Sequence, residues 1–292
     1  MMISIVLALC AAVSNAVASN LQRIAARTVP ESKAFRLALI LDLIRRPVWL
    51  GGIVALIAGF AFQAAALSTG PLALVQPVLA TELPFTMVLL SLMFKMRLEG
   101  RIWLAVATMS VGLALFLFSA SPSTGREPPS TKVWILAAIV TVAVVIGLCL
   151  LARLIEGDGR AALLGVATGI GFAFTAAFMK QSTSILAEGV ATLATSWQPY
   201  AMVAAGLCSL FLLQNTLQSG TLVAAQPALT ISDPVASILY GTMMFGESVR
   251  TGPWIILEAI GIGSIFFGSF LLAKSPQVRA QLLAQTKPKQ RS

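Results

Sequence analysis

The chain has 292 residues, 58% of them hydrophobic and 11% charged, with a net charge of +9. Soluble domains carry about a quarter charged residues, so no water-soluble core could bury this much apolar surface. Histidine is absent, which removes the commonest general base and transition-metal ligand, so neither an enzyme nor a cofactor is expected.

A membrane-spanning helix needs roughly 20 predominantly apolar residues. Nine stretches qualify, at 2–19, 48–67, 70–94, 102–120, 133–152, 161–179, 199–217, 220–246 and 252–273. Six contain no charged residue and the other three contain one each. The first has the length of a secretory signal and small residues at Ala16-Val17-Ala18, but its basic residues follow the apolar run instead of preceding it. Leu9 before Cys10 also suits lipoprotein cleavage poorly, so this stretch is read as a permanent first span. Cys10, Cys149 and Cys208 lie in different spans without metal or redox spacing and are expected to be small buried hydrophobes. Trp49, Trp103, Trp134, Trp197 and Trp254 fall at span ends, where tryptophan anchors a helix in the headgroup region.

Basic loops stay on the cytoplasmic side. The loop after the first span carries Arg23, Arg27, Lys33, Arg36, Arg45 and Arg46, which places the N-terminus outside. Alternating from there puts 16 of the 20 basic residues on the cytoplasmic side, among them Lys95, Arg97, Arg101, Arg153, Arg160 and those of a basic tail at 275–292. Only Arg126, Lys132, Lys180 and Arg250 fall outside. One missed or extra span would swap every later loop, so the charge excess is mainly a topology signal. It is not a nucleic-acid surface, because the charges sit in short loops between apolar spans. The expected location is the cytoplasmic membrane, with the C-terminus inside.

The sequence repeats itself at an offset of 150. Gly70 to Leu79 lies over Gly220 to Leu229, so that Gln76-Pro77 meets Gln226-Pro227, and Pro84 meets Pro234. Gln63 meets Gln214 across a one-residue gap, and Ala12 to Arg23 aligns loosely with Gly169 to Lys180. Spans one to four therefore pair with six to nine, and the odd fifth span inverts the second copy. The expected fold is an all-α integral membrane protein forming a single membrane domain. It comprises repeat one (1–120), a connector (133–152), repeat two (161–273) and the basic tail. Inverted repeats of this kind occur in secondary transporters, whose substrates bind near the midplane between the halves.

Glu82, Asp233 and Glu258 lie inside spans, where an ionised side chain costs roughly 2.5–3.5 kcal/mol at the bilayer centre. They should face the bundle interior, where they are candidate ligands for a cation, with Glu82 and Asp233 as the metal candidates. Interhelical hydrogen bonding is the structural alternative. Gln63, Gln76, Gln214, Asn215 and Gln226 add amide donors and acceptors in the same region. Pro77, Pro84, Pro227 and Pro234 each remove a backbone donor and free carbonyls within the membrane, which marks them as hinge candidates. Gly165 and Gly169 form a small-xxx-small pair that reads as close packing and leaves a homodimer open.

With this repeat, the Gln-Pro and Pro spacing, the turns around Arg97 to Arg101 and Gly246-Glu247, and Arg23 with Lys180, the chain resembles the drug/metabolite transporter superfamily. Its nine-span layout looks most like the NIPA-type magnesium transporter branch. It departs from the ten-helix EamA-like pattern, since Ala34 to Ile44 reaches only about 16 Å as a helix and would lie in the interface. The resemblance implies alternating access and transport of Mg2+ or a small cationic or polar metabolite. A proton-coupled drug or metabolite exporter is the alternative, and a non-transporting scaffold or lipid-intermediate binder is a further one. A carrier should show a polar central cavity, whereas a lipid binder should show a hydrophobic lateral opening. The lipid bilayer and a small-molecule or cation substrate are the expected partners.

Overall fold

The computed structural model describes residues 1–27, 46–94, 99–123, 125, 128–250 and 252–275. The interfacial stretch expected at Ala34 to Ile44, the loop bases Lys33, Arg36, Arg45, Lys95, Arg97 and Arg126, and the tail beyond Ser275 lie outside the described residues. Every regular element described is a helix: α1 (Met2–Arg27), α2 (Pro47–Thr69), α3 (Leu72–Leu79), α4 (Glu82–Phe94), α5 (Gly100–Ala120) and α6 (Thr131–Arg153). These are followed by α7 (Gly157–Glu188), α8 (Val190–Thr195), α9 (Gln198–Ser219), α10 (Leu222–Phe245) and α11 (Trp254–Lys274). Among the described residues, eight spans are long and apolar enough to cross a membrane. The eighth expected span is also a helix, α10, of 24 residues, but it is not one of those eight. Gln226, Ser232, Asp233 and two prolines dilute its apolar character.

Local sequence sets most of the ends. Proline stands in the first turn of α2 and of α9, where its missing N–H costs nothing. Gly189 and Gly246 stop α7 and α10 at φ values of 136° and 63°, a region that favours glycine. α7 runs nine residues past the expected end at 179, because hydropathy marks the edge of an apolar stretch and nothing before Gly189 breaks the helix.

Two bundles are evident. α1 packs along α2 and against α3 and α4, whereas α7 packs along α9 and α10. α5 and α11 pack along each other and connect the bundles. They cross antiparallel at two glycines: a Cβ on Gly112 would stand 2.7 Å from Gly261 O, and one on Gly261 2.8 Å from Gly112 O. The register continues on both sides, with Gly268 against Ala105 O and the Phe118 ring against Trp254 at 5.9 Å. α6 lies at the edge, with Ile135, Leu136, Ile139 and Val140 exposed, which suits hydrocarbon as its solvent. Gly165 and Gly169 meet Ala225 O and Ser232 Oγ of α10, so this pair is spent on packing within the chain.

Two expectations about side chains fail. Trp134 is no interfacial anchor. It is 2% exposed, stacked on Phe178 at 4.5 Å and surrounded by Phe174, Trp197 and Phe245. Cys208 is exposed and Cys10 and Cys149 are only half-buried, because the outer faces of spanning helices need no covering protein.

The end of α5 meets the turn after α10. Ser123 N donates to Ser248 O at 3.0 Å, Arg250 N donates to Ala120 O at 3.1 Å, and the two serine hydroxyls are 2.6 Å apart. The variant Ser123→Cys/Ser248→Cys is therefore expected to form an intrachain disulfide under mild oxidation, read as linked peptides by mass spectrometry. Absence of the linked peptides would mean that these ends do not meet.

Candidate functional site

The third expected span is broken. Pro77 in α3 leaves the Ala73 carbonyl without its helical donor, and Pro84 does the same to Ala80. Between them the chain tightens, with Ala80 N donating to Pro77 O at 3.2 Å and Thr81 N to Val78 O at 3.1 Å. α3 therefore ends at Leu79 and α4 restarts at Glu82. α10 behaves differently. It passes through Pro227 and Pro234 without interruption. The repeat is matched in sequence but not in local backbone.

α3 and α10 pack against each other, with Gly241 against Ala73 N. For helices running antiparallel at equal rise from this contact, seven residues along each would bring Ala80 level with Pro234, next to Asp233. Asp233 is half-buried, and its Oδ1 accepts from Ser237 Oγ at 3.3 Å. On α3, Gln76 is 4% exposed and its buried Nε2 has no hydrogen-bond partner. Ser269 Oγ on α11 donates to Thr230 Oγ1 on α10 at 3.3 Å, and the Thr168 and Thr216 hydroxyls of α7 and α9 are 2.9 Å apart.

The other sequence candidates stand on several helices. Glu82 is half-buried in the first turn of α4, which packs on α1, while Asp233 belongs to α10, which packs on α7. Glu258 is half-buried near the start of α11, with a buried Oε1 that has no hydrogen-bond partner. Gln63 and Gln226 are half-buried. Gln214 is exposed, and Asn215 spends its Nδ2 on Phe211 O of its own helix at 2.8 Å. Among the described residues, no three of His, Cys, Asp and Glu gather to hold a metal ion.

Another polar centre escaped the sequence reading. Lys180 and Glu247 form a buried ion pair at 2.5 Å, with side chains 12% and 0% exposed. The Glu247 carboxylate also accepts from the first two amides of α3, Leu72 N at 2.7 Å and Ala73 N at 3.0 Å. Those donors have no partner within their own helix, and an anion suits the positive end of its dipole. Lys180 Nζ donates in addition to Gly70 O at 3.1 Å and lies 5.3 Å from the centre of the Phe245 ring, which closes the aromatic cluster on Trp134. The two residues lie near helix ends in sequence, where a charge reads as a solvated terminus. At the other end of the second bundle, Asp158 Oδ1 accepts from Thr221 N at 3.2 Å and from Thr221 Oγ1 at 2.5 Å, at the entrance to α10.

A cavity of about 350 Å³ lies between α1, the break and α5. Among the described residues that line it, Thr81 and Ser110 are the polar ones and the rest are apolar, and none of the carboxylate or amide candidates reaches it. The polar central cavity expected of a carrier is not what this space provides, because every lining residue comes from the first half.

The chain is similar to an uncharacterized protein of Corynebacterium glutamicum, 29% identical over 235 residues that cover 80% of each chain. No family model and no solved structure matches.

Proposed function

We propose that the chain is a secondary transporter of the drug/metabolite transporter kind, crossing the membrane nine times in two inverted halves. Its N-terminus lies outside and its C-terminus in the cytoplasm. The halves rock about the α5/α11 crossing, and the cargo binds at the level of Asp233 beside the broken third span. The cargo is Mg2+ or a small cationic or polar metabolite, held by oxygen ligands and part of its own hydration shell.

The reciprocal crossing at Gly112 and Gly261 supports this reading, since the fourth and ninth spans, paired in the repeat, meet antiparallel and each does so through a glycine. A second correspondence supports it: Gly70 abuts Ser4 and Gly220 abuts Ala161, and residues 4 and 161 differ by the same 157 that aligns Ala12 with Gly169. Lys180 and Glu247 tie the second half to the start of α3 at the end assigned to the outside, which makes this the closed end.

Flux in vesicles containing the purified protein tests the proposal. Asp233→Asn is expected to reduce uptake at least tenfold, and Glu82→Gln to reduce it less. Mg2+ flux should follow the membrane potential, which supplies roughly 2.3 kcal/mol per charge per 100 mV, and should survive collapse of a pH gradient. If both variants transport like the parent chain, the site is wrong. The apolar cavity favours the second reading, a proton-coupled exporter of an apolar metabolite or drug, for which collapsing the pH gradient stops flux.

A further inference from the structure

We infer that the cavity between α1, the break and α5 is a lateral groove that binds a phospholipid acyl chain drawn from the surrounding bilayer. The inference needs only that these helices lie in a membrane.

The lining excludes water. A buried water needs two to four polar partners. Of the two hydroxyls present, that of Thr81 already donates to Val78 O at 2.6 Å and can only accept, which leaves Ser110 as the free donor. Ile5, Leu9, Pro84 and Val106 make up much of the remaining wall. An ion or a hydrated metabolite would lose its shell here without replacement, since none of the described lining residues is charged.

The position of the groove selects the occupant. Leu9, Thr81 and Ser110 each lie near the middle of their own apolar span, so the groove sits at the depth of the acyl chains. On α5, Ser110 and Ala114 are both lining residues and exposed, so the wall opens onto the face that hydrocarbon would cover. The opening exists because α5 packs along α11 rather than along α1, which leaves its first-half side short of protein. The break adds room at the floor, where Pro84 and Thr81 replace a regular turn. A volume of about 350 Å³ lies at the lower end of small-ligand sites and suits part of one chain.

The test uses the full chain in phosphatidylcholine vesicles containing a small fraction of phosphatidylcholine with a diazirine in the middle of one acyl chain. After irradiation, peptide mapping is expected to find adducts at the groove floor, on Thr81 and Pro84, as well as on the exposed Leu136 and Val140 of α6. Val106→Trp, which fills the groove, is expected to lower the floor adducts at least fivefold and to leave those on α6 unchanged. Adducts on α6 with none at Thr81 or Pro84 overturn the proposal, and so do floor adducts that Val106→Trp leaves unchanged. In a separate arm, Thr81→Cys in a chain with its three native cysteines replaced by alanine should resist a membrane-impermeant thiol reagent applied to both sides. Rapid labelling would show a water-filled cavity and overturn it equally.

Discussion

Glu247→Ala is expected to be the most damaging single substitution at the helix ends, lowering stability by about 3–5 kcal/mol, the usual cost of removing one partner from a buried ion pair. Three donors lose their acceptor at once: Lys180 Nζ and the amides of Leu72 and Ala73. Lys180 would be left as a buried cation with only Gly70 O and the Phe245 ring. Lys180→Met should cost less, because Glu247 keeps its two backbone donors. The double variant Lys180→Met/Glu247→Ala should be no worse than Glu247→Ala alone, since the lysine no longer has a charge to strand. Thermal unfolding in detergent measures all three. If Glu247→Ala melts within a degree or two of the parent chain, the node contributes no stability.

Gly112→Val and Gly261→Val are expected to be the next most damaging, by about 1–3 kcal/mol each, as is typical of overpacking. The obstacle is backbone. An added Cβ on either glycine would stand within 2.8 Å of the other's carbonyl oxygen, and neither oxygen can rotate away as the tip of a side chain could. Helices that approach this closely associate through van der Waals contact, so separating them loses packing along the whole crossing. Gly263→Ala is the control. It lies on the same helix, a Cβ there meets nothing within 4 Å, and alanine has the better helix propensity by about 1 kcal/mol. The same melting assay reads both outcomes, and equal behaviour at Gly261 and Gly263 would mean that the crossing is not tight.

The sequence showed where the chain is apolar and which loops are basic, because hydropathy and charge act over a single segment. Eight helices of spanning character follow directly, and the repeated Gln-Pro with its later proline marks the two helices whose backbones carry internal prolines. The same signals misjudged Trp134, since an aromatic residue at a span end looks alike whether it faces headgroups or four other rings. Asp233, Glu82 and Glu258 could be recognised as costly to place in a membrane. Where each one points depends on which helix packs beside it.

Tertiary structure alone decided the partnerships. Lys180 and Glu247 are 67 residues apart and Glu247 meets Leu72 across 175, so no local pattern could pair them. The matched prolines broke one helix and not the other. Pro77 and Pro84 lie in a segment that stops and restarts around Ala80, whereas α10 lies along α7 and stays continuous through Pro227 and Pro234. A proline removes the same backbone donor wherever it stands, and the surrounding packing determines whether the helix breaks or stays continuous. The apolar groove beside that break has the same origin: its wall is open because α5 packs on a helix from the other half of the chain.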